Sequence, residues 1–337
     1  MTDTILHPPA EWSPHGAIWT AWPADEELWL DDLSPAQAEV AAMVRALVAP
    51  GPDGKPGDTV RVLVNGPTAM LSAEKAIGEI AELVDAQYGD IWLRDTGPVF
   101  YSADRCALFT FNGWGGKYVL DHDDTIGAFV AIEAGADATR WHRVLEGGAV
   151  DWDGEGTILT TKECLLNPNR NPLMTPDDVR GLLGDALGAR TVIWIERGLL
   201  NDHTDGHVDN IARFVAPGVV VCQAPADADD PHAERLNEIA AFLKGQRDAR
   251  GRLLQVIQIP SPGRVEDEDG DVVPASHMNF IIGNASVVVP TYGTATAQAA
   301  VDALKQLFPG RNVVGLPSNH ILTGGGSFHC ITQQQPA

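Results

Sequence analysis

The sequence predicts an α/β protein. Two observations carry this reading: six stretches with helical periodicity alternate with short runs rich in Val and Ile, and one arrangement of strand, polar loop and strand recurs along the chain. A third sets the scale. Over 337 residues, 44% hydrophobic against 20% charged content gives a sizeable core, and 34 Gly with 23 Pro imply many turns, which excludes a disordered chain. The length alone allows one large domain, two or three.

In chain order, the helical periodicity falls at 34–48, 67–86, 123–134, 176–188, 231–247 and 294–308, several stretches opening at Ser, Thr, Asp or Pro. Between them TVRVLV, GTILTT, TVIWI, NIARFV, GVVVC, QVIQI, MNFIIGN, SVVVPTY and NVVGL read as strands bounded by Gly, Pro, Asn and Asp. The repeat is clearest in VLEGGAVDWDGEGTILTT, IWIERGLLNDHTDGHVDNIARFV and VVGLPSNHILTGGGSFHCIT. Similar modules set around one centre would collect their polar loops at one place.

Lys and Arg number 23 against 46 Asp and Glu, a formal charge of −23. Such a surface repels nucleic acid and acidic membranes and favours cationic partners, although solubility alone would also account for it. No hydrophobic run reaches the roughly 18 residues of a membrane helix, and the N-terminus lacks a basic segment followed by an apolar one, so the expected compartment is the cytoplasm. Cys106, Cys164, Cys222 and Cys330 form no CxxC pair. The first three lie in strand-like runs (CALFTF, KECLL, VVVCQ) and read as buried, inert thiols. Cys330 differs, because it follows TGGGSFH, and glycines beside a thiol let a small substrate reach the sulfur.

Asp202, His203, Asp205, His207 and Asp209 crowd into LLNDHTDGHVDNIARF. If that segment were helical, His203 and His207 with Asp209 could ligate a divalent metal, but Gly206 and the β-branched Thr204 and Val208 oppose a helix. If it is extended, His207 and Asp209 project to one face. In DIWLRDTGPVF, Trp92 and Arg94 share a face of an extended segment and Asp95 precedes a turn, where capping is the plainer role. Glu146 in RVLEGGAVD precedes two glycines and could point into a cleft or into solvent. Trp114 in FNGWGGKY, flanked by glycines, reads as a ligand-facing or loop-packing ring. The acidic run at 266–271 reads as a solvated loop.

Taken together, WLRDTGP, FNGWGGK, LEGGAVD, DGHVDN and TGGGSFHCITQQQP resemble the agmatine deiminase and bacterial peptidylarginine deiminase family, and the resemblance runs from PPAEWSPHGAIWTAWP to the C-terminal glutamines. It implies a single domain over 1–337 of the pentein type, an α/β propeller of five ββαβ-like modules about a pseudo-fivefold axis with the active site in the central channel. It also implies hydrolysis of a guanidinium to a ureido group and ammonia, with no metal and no organic cofactor. The nucleophile would be Cys330, the general acid and base His207, and its support Glu146. Asp95 and Asp209 would hold the guanidinium, and Trp92 and Trp114 would line the channel.

Two stretches depart from the family pattern. Where a basic residue usually follows AWP, this chain has Asp25, Glu26 and Glu27, which could meet a distal ammonium or face solvent. SPGRVEDEDGDVVPASHMNF replaces a longer basic or mixed loop and supplies no expected lining residue. A carboxylate-bearing substrate would want a basic clamp, and Lys and Arg are scarce near the motifs apart from Arg94. The expected partner is therefore a small cationic guanidinium, agmatine before peptidylarginine or arginine, and a homodimer is allowed. Two other classes remain open: a metallohydrolase built on His203, His207 and Asp209, and a noncatalytic amine binder.

Overall fold

The computed structural model describes residues 7–337. Its strands form five small sheets, built from consecutive parts of the chain except that the last strand joins the first sheet. In the first, β1 (His15–Ala21) pairs in parallel with β2 (Val60–Val64), which pairs in parallel with β3 (Glu82–Asp85). The second holds β4 (Val99–Ser102), β5 (Arg105–Thr110) and β6 (Asp137–Val144), and the third β7 (Val150–Trp152), β8 (Thr157–Thr161) and β9 (Thr191–Ile195). The fourth holds β10 (Ala212–Ala216), β11 (Val219–Ala224) and β12 (Gln255–Pro260), and the fifth β13 (Ile281–Ile282), β14 (Ser286–Thr291) and β15 (Asn312–Pro317). In sheets two to five the first two strands are antiparallel and the third returns parallel to the second. Parallel pairing needs a crossover, and a helix supplies it each time.

The crossover helices are amphipathic and bury one stripe against their own sheet. Ala233–Leu243 buries Leu236, Ile239, Ala240 and Leu243, and Ala297–Leu307 buries Ala300, Val301 and Leu304. Each buried Leu or Ile contributes roughly 1.5–3 kcal/mol over leaving it in water. Pro176–Leu187 starts at a capping box between Thr175 and Asp178 and stops at Gly188 in the left-handed region (φ 68°).

The last strand, β16 (Thr332–Pro336), returns to pair antiparallel with β1, Trp19 opposite Gln333 and Thr20 opposite Thr332. This closes the array of five modules. The buried Arg94 reinforces the closure by donating through Nη1 to the side-chain oxygens of Gln333 (2.8 Å) and Gln334 (2.7 Å). The glutamine run is thus a structural latch.

Several local expectations change. The helix expected over 67–86 is Pro67–Ile77 only, because Glu82–Asp85 leaves it to pair with β2, where Arg61 and Glu82 meet at 2.7 Å. KECLL is a helical turn (Lys162–Leu165) capped by the Thr161 hydroxyl, not a strand. Leu93–Thr96 is likewise a helical turn, so Trp92 and Arg94 share no strand face. His207 leads into a 3-10 turn (Val208–Asn210) rather than an extended segment.

This topology fixes where chemistry can occur. The final strand of each module passes the chain to a polar connection that leads into the next sheet. These five connections are 86–98, 145–149, 196–211, 261–280 and 318–331.

Candidate active site

Each connection contributes to one buried cluster. Cys330, at the end of the fifth, is 5% exposed, with Sγ 3.0 Å from Asn279 Nδ2 of the fourth and 3.7 Å from Asp209 Oδ2 of the third. Burial first, then the Asp209 and Asp95 carboxylates, push its thiol well above the ordinary cysteine range. Burial and the two carboxylates thus disfavour the thiolate in the ligand-free site.

Asp95, His207 and Asp209 converge over Gly148 of the second connection. A Cβ on that glycine would lie 2.6 Å from His207 Nδ1, 3.0 Å from Asp95 Oδ1 and 3.1 Å from Asp209 Oδ2. Only a residue without a side chain lets the three approach so closely. Asp95 Oδ1 accepts from the Gly148 N–H (2.9 Å), while Oδ2 accepts from Trp114 Nε1 (2.9 Å) and lies 3.7 Å from His207 Nδ1. Burial raises the Asp95 carboxyl above its usual range, against the pull of His207. Asp209 ends up on the other side. Burial opposes its charge too, but the hydrogen bond from His329 Nδ1 (2.7 Å) and the nearby cationic groups hold its carboxyl below the usual range.

Behind Asp209 runs a buried chain of charges. His329 Nε2 lies 3.1 Å from Glu11 Oε2, Glu11 pairs with Arg213, and Arg213 Nε donates to Asp151 Oδ1 at 2.7 Å. Burial works against the Glu11 carboxylate, yet Arg213 and His329 hold it far below the ordinary range. Glu146, fully buried, accepts from Arg170 Nε at 2.8 Å. Its Oε2, both ring nitrogens of His207 and Oδ1 of Asp209 find no hydrogen-bond partner among the described residues. Buried polar atoms left in that state are uncommon and point to a ligand-facing site.

A cavity of about 350 Å³ opens onto this cluster, within the range of small-molecule pockets. Cys330 and Asp95 lie in its wall with Trp92, Trp114, Trp29, Asp90, Asp32, Tyr118 and the glycines 324–326. Trp92 lies so close over Gly324 and Gly326 that a Cβ on either would meet its ring at 2.7 and 2.5 Å. The buried Asp90 accepts from Trp92 Nε1 (2.6 Å) and Trp29 Nε1 (3.0 Å), and burial pushes its carboxyl up to about 7. None of the seventeen residues lining this cavity is Lys or Arg.

All seven expected site residues, Cys330, His207, Glu146, Asp95, Asp209, Trp92 and Trp114, thus lie in or directly behind the cavity wall. The metal triad does not assemble. With Asp205 and Gly206 both at positive φ (63° and 81°), the chain turns between the two histidines, and His203 stacks on Tyr118 at 5.8 Å while His207 is buried. Among the described residues the one group of three candidate ligands is Glu146, Cys164 and His207, so His203, His207 and Asp209 do not converge on an ion. Asp25 caps the turn Glu26–Trp29, and Glu26 and Glu27 are exposed outside the cavity. The acidic run is an exposed turn whose Glu266, Asp267, Glu268, Asp269 and Asp271 line a neighbouring cleft, which shares Asp32, His203, Thr323 and Gly325 with the cavity.

Four residues escaped the sequence reading: Asn279, His329, Glu11 and Arg170. The repeat itself held a signal for Asn279, since the fourth connection should contribute as the other four do.

The sequence profile of the Porphyromonas-type peptidyl-arginine deiminase family matches residues 7–336. The chain is 38% identical to the agmatine deiminase of Stutzerimonas stutzeri (strain A1501), over 98% of this chain and 95% of the relative. It is 37% identical to that of Ectopseudomonas mendocina (strain ymp), over 98% and 96%. The solved structure of the agmatine deiminase of Enterococcus faecalis superposes with a TM-score of 0.91 at 30% identity, covering 98% of this chain and 96% of the other. Five closed modules, a site drawn from their five connections and matches spanning nearly the whole chain lead to one conclusion: the protein belongs to the Porphyromonas-type peptidyl-arginine deiminase family and has the pentein α/β propeller fold.

Proposed function

We propose that the protein hydrolyses agmatine to N-carbamoylputrescine and ammonia, working as one catalytic domain. The observation that carries the substrate assignment is the cavity wall, which offers Asp32, Asp90 and Asp95 with aromatic rings and no Lys or Arg. A guanidinium joined to a distal ammonium suits that wall at both ends. Free arginine would bring a carboxylate to a site with no Lys or Arg to receive it.

The guanidinium lies between Asp95 and Asp209, each able to accept from two of its N–H groups. At about 4 Å and an effective dielectric near 20, each contact has a Coulomb term of roughly 4 kcal/mol before desolvation is subtracted. Its positive charge next to Sγ draws the Cys330 thiol toward thiolate where the free site disfavours it. The thiol proton passes to His207 as the sulfur attacks the guanidinium carbon, and His207 hands that proton to one terminal nitrogen, whose C–N bond breaks as ammonia leaves. An S-alkylthiouronium remains on Cys330. Water gives one proton to His207 and attacks the same carbon; the C–S bond then breaks as the remaining hydroxyl proton passes to solvent, where ammonia becomes ammonium, and the ureido product departs while the thiolate recovers its proton from His207. Glu146, within 4.8 Å of His207 by their nearest candidate ligand atoms, favours the imidazolium that forms within each step before its proton moves on. Trp92 and Trp114 hold the alkyl chain and the edge of the cation.

A thiol nucleophile works only where it stays reduced, which favours the cytoplasm for this chain. Among the described residues no helix is long and apolar enough to cross a membrane. The deciding experiment assays agmatine, arginine and a blocked arginyl peptide in parallel for ureido product and ammonia. Turnover of agmatine at least tenfold above the other two is expected. Preference for the peptide overturns the substrate assignment, and ureido product from none of the three overturns the reaction.

A further inference from the structure

We propose that Glu146, Cys164 and His207 form an inhibitory site for a thiophilic divalent cation of the zinc class, separate from the nucleophile Cys330. The proposal rests on the reading of His207 as the acid and base, since an ion that takes the imidazole removes the proton carrier. One candidate ligand atom from each residue lies within 4.8 Å of the other two, and all three residues are buried. Ligand atoms around a four-coordinate zinc stand roughly 3.4 Å apart, so at most about 1.5 Å of closure is needed.

Two of the three donors are unpartnered, whereas burial and then Glu146 push the Cys164 thiol well above the ordinary cysteine range, so the ion must displace its proton. Arg170 occupies Glu146 Oε1 and leaves Oε2 unpartnered, and neither nitrogen of His207 has a hydrogen-bond partner among the described residues. The scaffold beneath them is fixed. The Thr161 hydroxyl caps the turn that carries Cys164 and donates to the Gly206 carbonyl (2.7 Å), immediately before His207. Glu146 stands at the start of the 3-10 turn Gly147–Ala149. Sulfur, imidazole nitrogen and one carboxylate oxygen together select zinc-like ions over Mg²⁺ or Ca²⁺, which prefer all-oxygen shells. Cys164 binds as thiolate, its proton passing to solvent.

Co²⁺ is the probe, because cobalt–thiolate ligation gives a charge-transfer absorption that needs no turnover. The wild-type protein should show this band, Cys330→Ala should keep it, and Cys164→Ser should lose it. Zn²⁺ should inhibit wild-type turnover, with the half-inhibiting concentration at least tenfold higher in Cys164→Ser. A band that disappears in Cys330→Ala and persists in Cys164→Ser puts the ion on the nucleophile and overturns the proposal, as does the absence of a band in the wild-type protein. The Cys330→Ala spectrum decides even if Cys164→Ser fails to fold. A band in a wild-type protein that releases no ureido product from any of the three substrates would overturn the functional reading instead, leaving the metal site standing.

Discussion

Asn279 holds Cys330 from two sides: its Nδ2 lies 3.0 Å from the sulfur, and its Oδ1 accepts from the backbone N–H groups of both His329 (2.9 Å) and Cys330 (3.2 Å). It also donates to Asn210 Oδ1 at 2.9 Å, beside Asp209. One side chain therefore sets the distance between the third, fourth and fifth connections.

Replacing it should slow chemistry more than binding. Asn279→Ala removes a donor that stabilises developing thiolate, and hydrogen bonds to charged groups contribute about 1.5–3 kcal/mol, so kcat should fall roughly ten- to hundredfold with KM changed less. Steady-state kinetics on agmatine checks this. Unchanged kcat would remove Asn279 from the account.

Gly148→Ala tests whether the acids and His207 must meet as closely as they do. The added Cβ must displace His207, Asp95 or Asp209, and misplacement by about 1 Å can reduce the rate about a hundredfold. Activity should fall by at least that factor while circular dichroism and thermal unfolding show a folded protein. A folded variant with near wild-type kcat would mean that the convergence is not needed.

The site was legible in the sequence where a polar, glycine-rich connection stood between strand-like runs, as at Glu146, His207 with Asp209, and Cys330. It was illegible where a residue acquires its role only from a distant partner. Glu11 reads as part of an N-terminal loop until Arg213 and His329 are packed against it, and Arg170 has no local sign that it will meet Glu146. The fold shows the same division. Val-rich β11 and β14 declare themselves, whereas TQQQP of β16 lacks a strand pattern and is made a strand by β1 and Arg94. Helical periodicity over 67–86 was overruled past Ile77 by pairing with β2, a tertiary contact that local propensity does not register.

Asp90 predicts a pH dependence of binding. Burial raises its carboxyl to about 7, so its ionisation works against folding: its contribution to stability is full below the ordinary carboxylate range and is lost as pH rises through about 7. A cationic ligand prefers the ionised form, so agmatine should bind more tightly as pH rises through the same value. Calorimetry on Cys330→Ala, which stops chemistry, should show affinity increasing roughly three- to tenfold between about pH 6 and about pH 8. Adding Asp90→Asn should flatten that profile. An equal rise in both proteins would assign the dependence to another group.

In the proposed reaction Cys330 carries the guanidinium carbon between the two chemical steps. Mass spectrometry of the intact protein, acid-quenched during turnover of agmatine, tests it most directly. A species heavier by agmatine less ammonia, mapped by proteolysis to the peptide containing Cys330, is expected, with no such species and no ureido product from Cys330→Ala. Turnover that persists in Cys330→Ala, or an adduct mapped to Cys106, Cys164 or Cys222, would contradict it.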